Sequence, residues 1–414
     1  MKEARLNGSN IIEHYHKIIS NNLWTPADNA LILLDFDILN NRIECVQQAF
    51  GENATHTVAI KSNPLFEVLK HITSLNFGLE AASFEEVQMA TEFEGNVVWD
   101  SPAKTKSELK ASEQIQHLLI NANDLAELHK VVEHTSNAKI GLRINPHLNA
   151  SQHSSMNVSS EHSKFGESLS NRELIISSII NGPDEICNLH VHTSSQNVDF
   201  SSQIKAIRLV IDLALEINKQ QPNRIKSIDI GGGFPVGFEA TTHFHISDYA
   251  HQLKLQCPEL FDGRFNLITE FGRYYHANSG VCFSTIESVK HFQNHQTIIH
   301  HVGADLLLRE SYNREQWPHE IGVIHNNNWS LEQTTNSDIG GPLCFGGDYI
   351  EKGMCLPKAS AGDVLTISDI GANSFSLWSR HCSRPFPKVI AHNNGNYNVI
   401  KEKESLASIL NFWR

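Results

Sequence analysis

At 414 residues the chain exceeds what one compact core supports, so two domains are expected. It carries 33 Lys+Arg against 46 Asp+Glu, an acidic balance that argues against a nucleic-acid binder or a general attraction to anionic membranes. Hydrophobic residues make up 40% and are scattered, with no run long enough to span a bilayer and no signal-peptide core in MKEARLNGSN; together with 7 widely spaced cysteines this fits a cytoplasmic protein without a disulfide framework or a zinc site.

An amphipathic segment, Ile11 to Ile19, precedes a turn at Thr25-Pro26 and a strand over Leu31 to Leu34. Val58-Ala59-Ile60-Lys61-Ser62-Asn63-Pro64 then delivers a lysine to the end of a β-branched run. Asn63-Pro64 turns the chain into a helix with Leu65, Val68, Leu69, Ile72 and Leu75 at helical spacing. A lysine at a buried strand end must pair, snorkel or react, and desolvation lowers an amine's pKa. Strand-like runs follow over 57–60, 77–80, 97–99, 118–120, 140–144, 186–192, 225–230 and 267–270. Helical patterns separate them, one opened by the capping box Ser83-Phe84-Glu85-Glu86 and one by Asp124. Eight strands alternating with helices predict a parallel (β/α)8 TIM barrel, with an open doubly wound sheet as the alternative.

From Val281 the texture changes to short strands joined by Gly, Asn and Pro turns, with Asn394-Gly395 as a hairpin signal between Val389-Ile390-Ala391 and Tyr397 to Ile400. This predicts a C-terminal all-β domain completed by the N-terminal segment: residues 1–40 packing with the β domain, the barrel at 41–280, and the β domain at 281–414. Two polar loops, Asn149 to Ser163 and Asn326 to Ser330, stand out; the first follows a barrel strand and is either a cover for a site or a surface loop.

In a barrel the active site lies at the carboxyl ends of the strands. Lys61, Glu80, Asn121, Arg143, the run His190-Val191-His192-Thr193-Ser194-Ser195-Gln196, Asp229 with its triglycine, and Glu270-Phe271-Gly272-Arg273 all fall there. Gly231-Gly232-Gly233 reads as a tight turn or as a nest of N–H groups for an anion. With Ser195 and Arg273 on the neighbouring strands, phosphate is the better fit. A strand-end lysine, a phosphate nest and a carboxylate together suit pyridoxal 5'-phosphate: Lys61 to hold its aldehyde as a Schiff base, Glu270 to keep its ring nitrogen protonated, His192 to stack on its ring.

The chain resembles the fold-type III pyridoxal-phosphate decarboxylases of ornithine, arginine and diaminopimelate, the last above all, over about Thr25 to Pro387. The resemblance rests on Ala59-Ile60-Lys61-Ser62-Asn63, Gly78-x-Glu80-Ala81-Ala82-Ser83, Arg143-Ile144-Asn145-Pro146, Ser163-Lys164-Phe165-Gly166, His190-x-His192-x-x-Ser195-Gln196, the triglycine with Phe234-Pro235, Glu270-x-Gly272-Arg273, and Gly341-Pro342-Leu343-Cys344 with Asp348. It implies a homodimer with shared active sites and an amino-acid substrate. Lys61, His192 and Glu270 would be catalytic. Ser195, Gly231, Gly232, Gly233, Gly272, Arg273 and Asn373 would join them in holding the cofactor. Cys344 of a second copy would donate a proton (a buried structural thiol being the alternative), and Arg309, Phe345 and Asp348 would meet substrate.

Three positions depart from the family's pattern. Ser194 stands where glycine is usual, Phe345 where an acidic residue commonly reads a distal amine, and Asn373 where a tyrosine touches the phosphate. The pattern therefore implies a decarboxylase of a diamino acid or a derivative of one, with Asp348 or Asp338 as other acids for the amine. A racemase of the same barrel and a non-catalytic regulatory homologue are the competing readings.

Overall fold

The computed structural model describes residues 3–148, 159–196, 198–238, 244–332 and 334–414; most of the first polar loop, residues 149–158, lies outside them. The chain forms two compact units. One comprises Phe244–Tyr274 with the described residues of Glu44–Pro235; the other comprises the chain up to Ile43, a segment from Val236, and Tyr275–Arg414.

The first unit is the barrel. Its parallel strands are Ala54–Ala59, Gly78–Ala81, Val97–Trp99, Leu118–Ala122, Lys139–Asn145, Ile186–His190, Ser227–Asp229 and Asn266–Phe271. Each pairs with its neighbour in sequence, and the last returns to the first with Glu270 opposite Thr57. That closure rules out an open sheet. Strands buried on both faces explain the near-continuous apolar runs, with Val98, Leu119 and Ile268 packed together. The helix after the lysine strand, Phe66–Ser74, buries Val68, Leu69 and Ile72, each worth roughly 1.5–3 kcal/mol on burial. Two expected caps hold. Asp124 accepts the Glu127 N–H at 2.8 Å and Ser83 accepts the Glu86 N–H at 3.1 Å. The Glu86 carboxylate, however, reaches the Ala82 N–H at 2.7 Å rather than that of Ser83, so it closes one residue earlier than a standard capping box.

In the second unit the strand order is Asn328–Ser330, Ile321–His325, Val364–Ser368, Gly280–Phe292, Ala30–Asp35, Lys388–Asn393 and Asn396–Lys401. Ala30–Asp35 is an interior strand, antiparallel to Gly280–Phe292 and parallel to Lys388–Asn393. The helix Gly8–Ser20 lays Ile11 and Ile18 onto Leu31, Leu33, Phe283 and Ile390. A polar tie reinforces it: the Asp35 carboxylate lies 3.1 Å from His14 Nε2 and 3.2 Å from His392 Nδ1. Beyond a register shift between Ile286 and Ser288, Gly280–Phe292 pairs with His295–His300, and Thr335–Gly340 and Tyr349–Leu356 follow. The second polar loop is not a loop. Asn326 (φ +48°) and Asn327 (φ +60°) form the two-residue turn between Ile321–His325 and Asn328–Ser330.

Candidate active site

The barrel unit gathers its ionisable residues at the carboxyl ends of its strands. Lys61 sits in a single 3-10 turn, Ile60–Ser62, and its amine pairs with the Glu80 carboxylate at the end of the next strand. Glu80 is sealed at 1% exposure while the Lys61 side chain is 51% exposed. Burial alone would depress the amine, as expected from the sequence. Glu80, Glu270 and Asp100 outweigh it and hold Lys61 above its ordinary value. Burial pushes the Glu80 carboxyl up to about 6 against the pull of Lys61.

Beneath this pair lies a knot of carboxyl groups. His190 Nε2 stands 3.5 Å from Asp100 Oδ2 and 3.5 Å from Glu270 Oε2. Asn121 Nδ2 donates to Asp100 Oδ1 at 2.8 Å and approaches Asp229 Oδ2 at 3.3 Å. Arg143, buried, faces the same group of acids and donates to the His192 carbonyl at 3.2 Å. Burial drives His190 down to about 4, so its ring is neutral. Burial, then the charges of Asp100, Asp229 and Glu80, pushes Glu270 far above the usual carboxylate range, and Asp229 is raised to about 8. Glu270 Oε1 is buried and meets no hydrogen-bond donor among the described residues.

The triglycine turns tightly beside this knot. Gly231 (φ +65°) and Gly233 (φ +96°) occupy left-handed backbone, and a Cβ on Gly233 would lie 2.0 Å from the Ser194 carbonyl oxygen. The amides of Gly231 and Gly232 do not face outward as an anion nest would require. The Gly231 N–H donates to Asp229 Oδ1 at 2.9 Å, and the Gly232 N–H to His192 Nδ1 at 3.1 Å. That second bond places the His192 ring proton on Nε2, and burial keeps the ring neutral. Ser194, at the position where glycine is usual, is buried with its hydroxyl unpaired, as is that of Thr193, while Ser195 is only partly buried. Gly272 has a packing role: a Cβ there would meet Ala59 Cβ and Ser62 Oγ at 2.9 Å, so its absence lets the last strand close on the lysine turn. Arg273 follows, partly buried.

The family profile described as the pyridoxal binding domain of pyridoxal-dependent decarboxylases matches residues 37–277, more than half of the chain. The chain belongs to the pyridoxal-dependent decarboxylases. Among curated members of that family, diaminopimelate decarboxylase of Campylobacter jejuni is 26% identical over 383 residues, 90% of this chain and 93% of the relative. That of Helicobacter pylori strain J99 is 27% identical over 404 residues, 95% of this chain and 96% of the relative. A crystal structure of the Helicobacter pylori enzyme complexed with L-lysine has the same fold, with TM-score 0.86, 23% identity and coverage of 96% and 99%. So does SrLDC in complex with PLP, with TM-score 0.79, 19% identity and coverage of 94% and 96%.

The decarboxylase's cofactor is pyridoxal phosphate, and the barrel residues fit it. Glu270 Oε1, buried and without a hydrogen-bond partner among the described residues, suits a ring nitrogen, and the Lys61 amine, on a half-exposed side chain, suits an aldehyde. When bound, the group supplies an electron sink for charge left at the substrate's α-carbon.

The other expected residues lie in the β unit. Cys344 is exposed and free, so it is not a buried structural thiol. The Phe345 ring stacks between Tyr312 (6.2 Å, 16°) and His381 (5.4 Å, 22°). Asp348, expected to meet substrate, is instead buried with Oδ1 accepting the Ala304 N–H at 2.8 Å and Oδ2 the Leu343 N–H at 2.7 Å; it shapes the segment before Cys344. Asp338 accepts the Gly353 N–H at 2.9 Å and faces His295 at 3.5 Å. The Arg309 guanidinium lies 5.4 Å above the Trp317 ring, and Asn373 adopts φ +54°. Asp100 escaped the sequence reading. Its one signal is position: it directly follows Trp99, the last residue of the three-residue third strand.

Proposed function

We propose that this decarboxylase removes the α-carboxyl group of a diamino acid or a derivative of one, with an apolar, acylated or conjugated far end, and that it works as a cytoplasmic homodimer with shared sites. Relatives named diaminopimelate decarboxylase, and crystals of such enzymes complexed with L-lysine, support the diamino-acid part. The observation that carries the rest is the aromatic row Tyr312, Phe345 and His381, directly after Cys344. An ammonium buried without a carboxylate partner costs several kcal/mol, roughly, whereas an aromatic face returns about 0.5–2 kcal/mol through a cation–π contact. Such a row favours a substrate end that carries no free ammonium.

In this reading the Lys61 amine would hold the cofactor's aldehyde, with Glu80 keeping that amine in place beforehand. Glu270 would keep a proton at the ring nitrogen. His192, oriented by Gly232, would meet the ring, and Ser195 and Arg273 would hold the phosphate with Asn373. Cys344 of a second copy would supply the proton that replaces carbon dioxide at the substrate's α-carbon. Arg309 remains the candidate partner of a substrate carboxylate. Seven free cysteines fit a reducing compartment.

The test compares carbon dioxide release, as kcat/KM, from diaminopimelate, ornithine and lysine with release from their acylated counterparts. Acylated substrates should lead in the wild type, and Phe345→Glu should shift preference toward the free amines. If a free diamino acid is turned over best and Phe345→Glu does not improve it, the reading of Phe345 is wrong.

A further inference from the structure

We propose that Asp100 is a positioning residue for Glu270: the two carboxyl groups flank His190, and the charge on Asp100 keeps a proton at the end of Glu270 that meets the ring nitrogen of pyridoxal phosphate. This rests on the reading of Glu270 given above and adds a second residue to it.

The hydrogen-bond inventory decides which carboxyl is ionised. Asp100 Oδ2 and Glu270 Oε2 face the same His190 nitrogen, each at 3.5 Å. Two adjacent buried carboxylates repel, so one of them takes up a proton. Asp100 has a donor on its other oxygen, Asn121 Nδ2 at 2.8 Å, whose own carbonyl accepts from Asn188 Nδ2 at 2.9 Å. Glu270 Oε1 has none among the described residues. The negative charge therefore settles on Asp100 and the proton on Glu270. The surrounding charges point the same way: burial works against ionisation of Asp100, but His190, Glu270, Arg143 and Asn121 hold it below its ordinary value. The charged and titratable groups around the pair are Asp229 and Glu80 on the acidic side and Arg143, Lys61 and Lys104 on the basic side, with His190 and His192 neutral. Removing the Asp100 charge leaves Arg143 and Lys61 less opposed, so a proton shared by Glu270 and the ring nitrogen is released at lower pH.

The experiment reconstitutes the holoenzyme with pyridoxal phosphate carrying ¹⁵N at the ring nitrogen and follows that nitrogen's NMR shift against pH in wild type, Asp100→Asn and Glu270→Gln. In the wild type the protonated shift should persist to high pH. In Asp100→Asn the loss of the proton should move down by about one pH unit or more. The basic limb of kcat should move with it, a displacement that a purely structural defect would not produce. Glu270→Gln should lack the protonated shift at neutral pH. If Asp100→Asn follows the wild-type profile while Glu270→Gln departs from it, Asp100 has no such role and the Glu270 reading stands. If Glu270→Gln also follows wild type, that reading falls first and this one with it. Asp100→Ser answers the same question should the asparagine variant not fold.

Discussion

Lys61 is held by Glu80 while its side chain stays half exposed, so the amine is both oriented and reachable. Lys61→Ala should abolish covalent cofactor attachment and turnover. Mass spectrometry after borohydride reduction should place the phosphopyridoxyl group on Lys61 in the wild type, and an adduct on another residue would overturn the assignment. Glu270→Gln should retain the cofactor yet lose on the order of 10²–10³ in kcat, the usual cost of one preorganised electrostatic group. Asp229 gives a stability test in the cofactor-free protein. Its folded pKa, raised to about 8 from 3.8 chiefly by burial, means the native state binds the extra proton. Its contribution is therefore fully present below the unfolded value and lost as pH rises toward about 8. Urea unfolding of wild type and Asp229→Asn should diverge across that window, with the wild type falling more steeply; parallel curves would show that the carboxyl is ordinary.

Among the elements, the glycine turn is the least replaceable. Gly233→Ala combines backbone strain of about 1–3 kcal/mol with a clash against a backbone oxygen that has no freedom to yield. Gly263, at φ +88°, offers a control in the same unit, because no described residue lies within 4 Å of its Cβ position. Gly263→Ala should lower the melting temperature slightly, whereas Gly233→Ala should eliminate cofactor binding. Equal effects would mean that strain alone matters. At this scale the sequence was uneven. Alternating strands and helices were legible because the barrel strands are buried on both faces and most carry apolar runs. Thr335–Gly340 and Tyr349–Leu356 were not, since both are half exposed, the first has Ile339 as its one large apolar side chain, and Glu351-Lys352-Gly353 interrupts the second. Asp100 was overlooked because its strand spans only Val97–Trp99 and no recognisable motif ends there.

For the whole molecule, the N-terminal strand is interior to the sheet of its unit, so deleting residues through Asp35 should unfold that unit rather than trim it. The shared-site proposal predicts complementation. Inactive Lys61→Ala mixed with inactive Cys344→Ala should recover activity, because one of the two composite sites in a mixed dimer carries both residues. No recovery despite demonstrated subunit exchange would mean that each chain's site is complete.

The sequence alone determined the barrel and the residues around its mouth. Parallel strands with one helix between each pair all end on one side, so strand-end residues far apart in the chain must collect there. The tertiary structure alone decided how protons and hydrogen bonds are shared among them. Which of Asp100, Asp229 and Glu270 is ionised depends on ångström distances between residues on different strands. That the Gly231 and Gly232 amides turn inward to Asp229 and His192 depends on the path of the turn. Neither is a property of any local stretch, because the energy of a buried charge is set by the neighbours that folding brings to it.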